Sequence, residues 1–138
     1  MDVVTALREA GHEVYDFKNP TECDTAFSWS EIDNCWRGWT PEQLLVALEH
    51  PLAVAGFESD AAALAAADAV VLVLPCGRSA HLELGWALGH GIRGYVLLGD
   101  GPVEPELMYK LCHRHRIVVD LPALLRVIEA DVSGKVPA

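Results

Sequence analysis

Asp68-Ala-Val-Val-Leu-Val-Leu-Pro-Cys-Gly-Arg-Ser79 is the stretch that decides the fold class. Ala69 to Leu74 form a continuous apolar run, which is typical of a central strand in a parallel sheet that is buried on both faces. Pro75 to Arg78 form a tight loop, and Ser79 begins a helix that ends near the glycines at 89 and 91. The stretch therefore predicts a strand, a short loop and a helix in immediate succession.

The same alternation extends in both directions from this stretch. Further strands are predicted at Glu13–Phe17, Gly94–Leu98 and Ile117–Asp120. Further helices are predicted at Val3–Ala10, Pro41–Glu49, Ala61–Ala67 (begun by Ser59 or Asp60), Pro105–His115 and Pro122–Ala130. This order predicts an α/β fold, in which helices cover both faces of an open parallel sheet.

The chain begins with a helix, whereas such folds usually begin with a strand, so the first strand is expected to be missing. Three explanations remain open: a start codon assigned too late, a truncated chain, or a native absence. Ligands in these sheets bind at the carboxyl ends of the strands, beside the point where the strand order reverses. The missing strand would therefore have carried one wall of the site.

Composition limits the class of protein. The 138 residues, 51% hydrophobic and 22% charged, predict one soluble globular domain over residues 1–138. The formal net charge of −10 would repel a polyanion, so nucleic acid is not an expected partner. Residues 61–75, the most apolar stretch, are interrupted by Asp68 and are too short to cross a membrane.

Cysteine and glycine spacing excludes further classes. The cysteines at 23, 35, 76 and 112 form no C-x-x-C pair, so neither a zinc ribbon nor a thioredoxin motif is present. A domain of this size does not need disulfides, and the N-terminus lacks the apolar segment of a signal peptide. Both points favour a reducing, cytoplasmic location. The glycines at 85, 89 and 91 form neither a dinucleotide fingerprint nor a P-loop, and no cofactor is expected.

The loop and the start of the helix carry the residues suited to chemistry. Gly77 and the backbone amides at the helix start can cradle an anion or a hydroxyl group, and Arg78 adds donors for a phosphate or carboxylate. Glu83 follows Ser79 by four residues, and the positive end of the helix favours its ionised form. An ionised carboxylate is a suitable nucleophile for an anomeric carbon, although a glutamate early in a helix is often present for the dipole alone.

These residues resemble the nucleoside 2-deoxyribosyltransferase superfamily, which includes the 2′-deoxynucleoside 5′-phosphate N-hydrolases. The shared pattern is Asp60 before a helix, Ala67-Asp68 leading into the buried strand, a small-residue loop at Gly77, and Glu83-Leu-Gly-Trp-Ala87 on the next helix. The pattern spans roughly Gly11 to Ile128. The chain is also similar to bacterial proteins of the Toll/interleukin-1-receptor-like class. Both resemblances imply a flavodoxin-like (Rossmann-like) architecture.

The resemblance also implies roles. Glu83 would be the nucleophile that forms a covalent glycosyl-enzyme intermediate, and Asp60 would assist near the nucleophile or the leaving base. Gly77 and Ser79 would hold the 5′ end of the sugar. Glu106 and Met108 would reach the site of a neighbouring subunit, which implies a homodimer or a larger homo-oligomer with shared sites. Because the Glu106 carboxylate would repel a 5′-phosphate, an effect that Arg78 can offset, the choice between nucleoside and nucleotide stays open.

Several other residues have two interpretations each. Asp16, at the end of a predicted strand, and His81, in the first turns of the helix after the loop, are candidate substrate contacts, and surface roles are the alternative. Trp29, Trp36 and Trp39 would either stack on a base or, as the favoured interpretation, pack a long loop. Cys76 with His81, and Cys112 with His113 and His115, do not have standard ligand spacing, so no metal is predicted.

The sequence thus predicts an enzyme that cleaves the N-glycosidic bond of a nucleoside or nucleoside 5′-monophosphate, by hydrolysis or base transfer. A non-catalytic nucleotide-binding or signalling module is the main alternative. Cleavage of the nicotinamide–ribose bond of NAD is another, because it uses a similar carboxylate.

Overall fold

Residues 1–20 and 26–134 are described by a computed structural model, and they contain five α-helices and three β-strands. The helices are α1 (Val3–Glu9), α2 (Pro41–Leu48), α3 (Pro51–Ala66), α4 (Arg78–Gly89) and α5 (Leu121–Val132). The strands are β1 (Ala69–Val73), β2 (Arg93–Leu97) and β3 (Ile117–Val118). The chain divides into a sheet unit, residues 1–12 and 67–134, and a helical unit, residues 13–20 and 26–66.

In the sheet unit the strands form one parallel sheet in the order β1-β2-β3. Val71 of β1 pairs with Tyr95 of β2, and Val96 of β2 pairs with Ile117 of β3. Parallel strands need a crossover connection, and α4 provides it between β1 and β2. The prediction of an α/β fold with an open parallel sheet is therefore confirmed.

Helices cover both faces of this sheet. Leu72 of β1, Val96 of β2 and Leu84 of α4 belong to one buried cluster, so α4 lies on the face to which Val96 points. Tyr95 precedes Val96 and points to the opposite face, where its hydroxyl donates a 2.6 Å hydrogen bond to Asp131 of α5. Both Tyr95 and Val96 are fully buried, which makes β2 the centre of the core.

The prediction for β1 was only half right. A parallel strand forms as expected, at Ala69–Val73, but β1 lies at an edge of the described sheet, where a central strand is predicted. Val73 is 38% exposed, so the strand is not buried on both faces. The apolar run indicated the strand correctly, but a run of this kind does not specify how many neighbours the strand has.

The predicted strand at Glu13–Phe17 is absent, because these residues are irregular in the helical unit. The Tyr15 ring instead packs edge-on against Phe17, with 4.9 Å between ring centroids. The Tyr15 hydroxyl bonds to Ser59 and Asp60 on α3. Aromatic residues favour strands only where a neighbouring strand pairs with them, and here their contacts are made with each other and with a helix.

The predicted helix start at Ser59 or Asp60 is also wrong. The helix α3 begins at Pro51 and continues unbroken to Ala66, so both residues lie within it. Gly56 lies within this helix without interrupting it, and its lack of a side chain allows close packing against Phe27. A Cβ at that position would lie 2.9 Å from the Cβ of Phe27.

The predicted helix at Pro105–His115 is replaced by two short 3-10 helices, Leu107–Leu111 and Arg114–Arg116. The side chain of Glu106 accepts from the backbone amide of Met108 and so caps the first of them. The strand predicted at Ile117–Asp120 is confirmed but shorter, at Ile117–Val118. Asp120 leaves the strand and caps α5 instead, accepting from the amide of Ala123.

Tryptophans pack against one another in the helical unit. The rings of Trp29 and Trp39 contact edge-on at 5.8 Å between centroids, and Phe27 packs on Trp29 in the same way at 4.9 Å. The indole nitrogen of Trp39 donates to Asp33 at 2.8 Å. The guanidinium of Arg37 covers the ring of Trp36. These contacts favour the packing interpretation of the tryptophans over base stacking.

A buried carboxylate joins β2 to the end of α5. The side chain of Asp131 is 1% exposed and accepts from the Tyr95 hydroxyl, from Arg116 Nε at 2.8 Å and from His115 Nε2 at 3.3 Å. Burial alone would raise the pKa of Asp131, but these hydrogen bonds outweigh it and lower the pKa to about 2. Burial, the hydrogen bond and the carboxylate charge raise the pKa of Tyr95 to about 12.

Asp131→Asn should therefore lower the free energy of unfolding at pH 7 by about 3 kcal/mol, because it leaves Arg116 without its anionic partner. The pKa of Asp131 is below its ordinary value of 3.8. The contribution of Asp131 to the free energy of unfolding is therefore complete above pH 3.8 and is lost as the pH falls towards about 2. Urea unfolding at pH 7 and pH 3 measures both effects, with Glu129→Gln on the exposed side of α5 as control. If the difference in free energy of unfolding between the wild type and Asp131→Asn were as large at pH 3 as at pH 7, this account would be contradicted.

Gly94 of β2 sets the distance between the sheet and α4. A Cβ at this position would lie 2.7 Å from Leu84 Cδ1 and 2.8 Å from Leu88 Cδ2. Because Leu84 is itself buried, Gly94→Ala should cost about 1–3 kcal/mol of stability by overpacking. Gly85→Ala on α4 is the matched control, since its Cβ would meet nothing within 4 Å. Equal thermal stability of the two variants would show that α4 shifts at no cost.

Candidate functional site

A cavity of about 960 Å³ lies beyond the carboxyl ends of β1 and β2 in the sheet unit. The loop after β1, one side of α4, and the segment from Leu98 to Leu111 after β2 form its walls. Parallel strands carry both loops to the same end of the sheet, which is where α/β folds bind ligands. The volume is within the range of about 300–1,000 Å³ that is typical of small-molecule sites.

The cavity has apolar walls and a few polar groups. Its apolar lining includes Leu74, Leu82, Leu88, Leu98, Val103 and Leu111. Its ionisable lining comprises Cys76, Arg78, His81, Asp100, Glu104, Glu106 and Tyr109. Apolar walls with a few convergent polar groups are the usual form of a ligand site.

Several residues that the sequence indicated as substrate contacts line this one cavity. They are Gly77, Arg78, His81, Glu106 and Met108. Gly77 is the N-cap of α4, and a Cβ there would point into open space. Glu106 and Met108 line the cavity of their own chain, whereas the resemblance implied that they reach the site of a neighbouring subunit.

Ser79, Asp16 and Asp60 lie elsewhere. Ser79 is exposed on the first turn of α4 and is not part of the cavity lining. Asp16 and Asp60 belong to the helical unit. The carboxylate of Asp16 accepts from the amide of Lys18 and from the side chain of Asn19, which is an ordinary way for an aspartate to stabilise a turn.

Glu83 lies on α4 but is not among the residues that line the cavity. At about 100° per residue, it points away from His81, Leu82 and Gly85, which are on the cavity side. The side chain is half-buried. The cavity and the candidate nucleophile are therefore on opposite sides of one helix.

Asp60 has the environment of a potential proton donor. Its Oδ1 accepts a 3.1 Å hydrogen bond from the Tyr15 hydroxyl, which also bonds to the Ser59 hydroxyl at 2.9 Å. Partial burial raises the pKa of the Asp60 carboxyl, and the Tyr15 hydrogen bond only partly offsets this effect. A raised pKa favours the protonated form, which can donate to a leaving group.

His81 joins the two loops of the cavity. Its Nδ1 lies 2.8 Å from the carbonyl oxygen of Gly77, and its Nε2 lies 2.8 Å from the hydroxyl of Tyr109. Because a carbonyl only accepts, Nδ1 carries the proton, and in the neutral ring Nε2 accepts from Tyr109. Cys76 Sγ lies 3.8 Å from the same Nδ1.

Sequence reasoning overlooked Tyr109 and considered Cys76 as a metal ligand, a role that it did not predict. Burial raises the pKa of Tyr109, and the charges of Cys76, Glu106 and Glu104 raise it further. The turn-forming segment Asp100-Gly-Pro-Val-Glu-Pro105, directly after a strand, was the signal that could have indicated the second wall of the site.

Three carboxylates on the β2 side give the cavity a negative edge. Asp100, Glu104 and Glu106 line it, against the guanidinium of Arg78 on the β1 side. Within residues 1–20 and 26–134, no group of three or more His, Cys, Asp or Glu side chains is placed to hold a metal ion. The described helices include none whose length and apolar content would suffice to cross a membrane.

Comparison of the chain with protein-family models, with curated proteins and with solved structures gave no match.

Proposed function

We propose that this protein binds a nucleoside or a nucleoside 5′-monophosphate in the cavity of the sheet unit. The observation that carries the proposal is the convergence of Gly77, Arg78, His81, Glu106 and Met108 around one cavity at the carboxyl ends of β1 and β2. Apolar walls suit a base, and carboxylates suit the hydroxyl groups of a sugar, since an ionised carboxylate is a strong acceptor.

The charge of the cavity favours a neutral ligand within this class. Asp100, Glu104 and Glu106 disfavour a phosphate, and Arg78 supplies one compensating charge. We therefore expect a nucleoside to bind more tightly than its 5′-monophosphate.

The reaction that we propose is cleavage of the N-glycosidic bond, by hydrolysis or base transfer. As the resemblance implies, Glu83 would attack the anomeric carbon, which requires the sugar to lie on the Glu83 side of α4 rather than within the cavity. The same resemblance gives Asp60 an assisting role near the nucleophile or the leaving base. The raised pKa of Asp60 supports its part. Water or a second base would resolve the glycosyl intermediate, with retention of configuration.

The position of Glu83 favours a second candidate function, a binding or signalling module that holds the nucleoside without turnover. Glu83 lies on the side of α4 that does not line the cavity. A ligand enclosed by the cavity would then be held by residues that take no part in chemistry. NAD, with its nicotinamide–ribose bond, remains a third ligand to test.

The finer architecture and assembly are also proposals. β1 has the apolar composition of a central strand, although it lies at an edge of the described sheet. A further strand beside β1 would give a flavodoxin-like arrangement. Leu82 and Leu107 are each 75% exposed beside the cavity, which supports a homodimer or larger homo-oligomer. Cys35, Cys76 and Cys112 are all present as thiols, which supports a reducing, cytoplasmic location.

Glu106→Gln should lower the ratio of nucleoside affinity to monophosphate affinity by about two- to fivefold, because it removes one repulsive charge. The glutamine oxygen still accepts from the Met108 amide, so the local structure is kept. Calorimetric titration with a nucleoside and its 5′-monophosphate measures the two affinities. Glu129→Gln, on the exposed side of α5, is the control. A ratio unchanged by Glu106→Gln would mean that the 5′ end does not approach this carboxylate.

Glu83→Gln should reduce release of free base by about a thousandfold while binding is retained. The purified protein is incubated with nucleosides, deoxynucleoside monophosphates and NAD, and the products are separated by chromatography. Glu129→Gln, on the exposed side of α5 and outside the cavity lining, is the control. Full activity of Glu83→Gln would disprove the nucleophile assignment, and tight binding without turnover by the wild type would establish the binding module.

A further inference from the structure

The cavity contains a cluster of three hydrogen-bonding side chains that the proposed reaction does not use. Cys76, His81 and Tyr109 all line it. The sulfur of Cys76 lies 3.8 Å from His81 Nδ1, and the Tyr109 hydroxyl lies 2.8 Å from His81 Nε2. The cluster unites the loop after β1, the first turn of α4 and the 3-10 helix Leu107–Leu111. Cys76 is present as a thiol and is half-buried.

The surroundings of Cys76 favour its thiolate form in two ways. Cys76 directly precedes Gly77, the N-cap of α4, so the positive end of a 12-residue helix is beside the sulfur. The Nδ1–H of His81 lies 3.8 Å from the sulfur, and a donor directed at the sulfur favours the ionised thiol. The hydrogen bonds to Gly77 and Tyr109 fix the ring in the position where it exerts this effect.

We propose that Cys76 is the nucleophile of a thiol-modification site in the cavity, that its reactants are uncharged small disulfides, and that His81 is the positioned donor beside the thiolate. His81 is not the base, because its Nδ1 already carries the proton that it donates to the Gly77 carbonyl. The Cys76 proton passes to solvent before attack.

The reaction is a thiol–disulfide exchange. The Cys76 thiolate attacks one sulfur of the disulfide, the bond between its two sulfurs breaks, and a mixed disulfide with Cys76 forms. The second half leaves as a thiolate and takes a proton from solvent. The disulfide is the oxidant, so no other reactant is required.

Charge selects among such disulfides. Asp100, Glu104 and Glu106 line the same cavity and disfavour anionic reactants, whereas the apolar walls accept neutral aromatic ones. The site should therefore react faster with 4,4′-dithiodipyridine than with the dianionic 5,5′-dithiobis(2-nitrobenzoate), after correction for the reactivity of each reagent with free cysteine.

The test uses the full chain and identifies the thiol by its tryptic peptide. Residues 38–78 form a peptide with Cys76 as its sole cysteine, residues 19–37 carry Cys23 and Cys35, and residues 111–114 carry Cys112. The native protein is treated with 4,4′-dithiodipyridine at pH 7, excess reagent is removed at intervals, and the adducts are quantified by mass spectrometry. We expect Cys76 to react about tenfold faster than exposed Cys35. Burial raises the pKa of Cys112, which should react last.

His81→Gln separates the positioned imidazole donor from simple accessibility. It should slow Cys76 labelling about tenfold at pH 7 and move the rate profile to higher pH, because the thiolate loses the Nδ1–H that is fixed beside it. Other charged or titratable groups in the cavity, Arg78, Tyr109, Asp100, Glu104 and Glu106, are kept. His90→Gln is the matched control, since His90 directly follows the same helix, stacked on Trp86 and outside the cavity lining. Tyr109→Phe keeps the imidazole donor beside the sulfur and should have the smaller effect.

Each outcome decides the proposal. Labelling of Cys76 no faster than that of exposed Cys35 would overturn it, as would equal rates in His81→Gln and His90→Gln at equal thermal stability. If His81→Gln does not fold, the ratio of Cys76 to Cys35 labelling in the wild type, and its dependence on reagent charge, decide alone.

Labelling does not require a nucleoside to bind, so failure of the proposed function leaves this result unchanged. Slower labelling in the presence of a bound nucleoside would place both ligands in one cavity.

Discussion

The parallel pairing of β1 with β2 is the constraint on which the site depends. Val71 pairs with Tyr95 and Val73 with Leu97, so both strands end at the same edge of the sheet. The two loops that follow must then face each other across the end of the core. The small size of Gly94 lets α4 lie directly on the paired strands, and the start of α4 forms the third wall. A shift in this register would separate the walls and remove the cavity.

The sheet unit encloses one carboxylate on the α5 face of the sheet and exposes three at the cavity. On the α5 face, Asp131 is enclosed with Arg116 and Tyr95, and its charge is satisfied within the protein. At the cavity, the carboxylates of Asp100, Glu104 and Glu106 are on exposed residues. Charges that are satisfied internally stabilise a fold, whereas exposed charges around a cavity act on what enters it.

The sequence predicted β1 and α4 well, because their signals were local. The apolar run at 69–74 and the glycines near 89 and 91 bracketed β1 and α4 to within one residue of where the structure has them. The helical unit was predicted less well, because the structure of Tyr15 and Phe17 depends on contacts with each other and with α3. Gly56 is typical of a helix break, but it accommodates Phe27 instead. Contacts between distant segments override local preference, and a single sequence does not reveal them.

Helical geometry places the candidate residues of one short motif on two sides of α4. His81 and Glu83 are two residues apart, so on α4 they point about 200° apart. Arg78, His81, Leu82 and Gly85 follow the three- and four-residue spacing of one side and meet the cavity. Glu83 is carried to the other side by the same periodicity. The resemblance in sequence groups these residues into one site, whereas the helical structure places them on opposite sides of α4. The cavity-side cluster and the Glu83 carboxylate can therefore be altered independently.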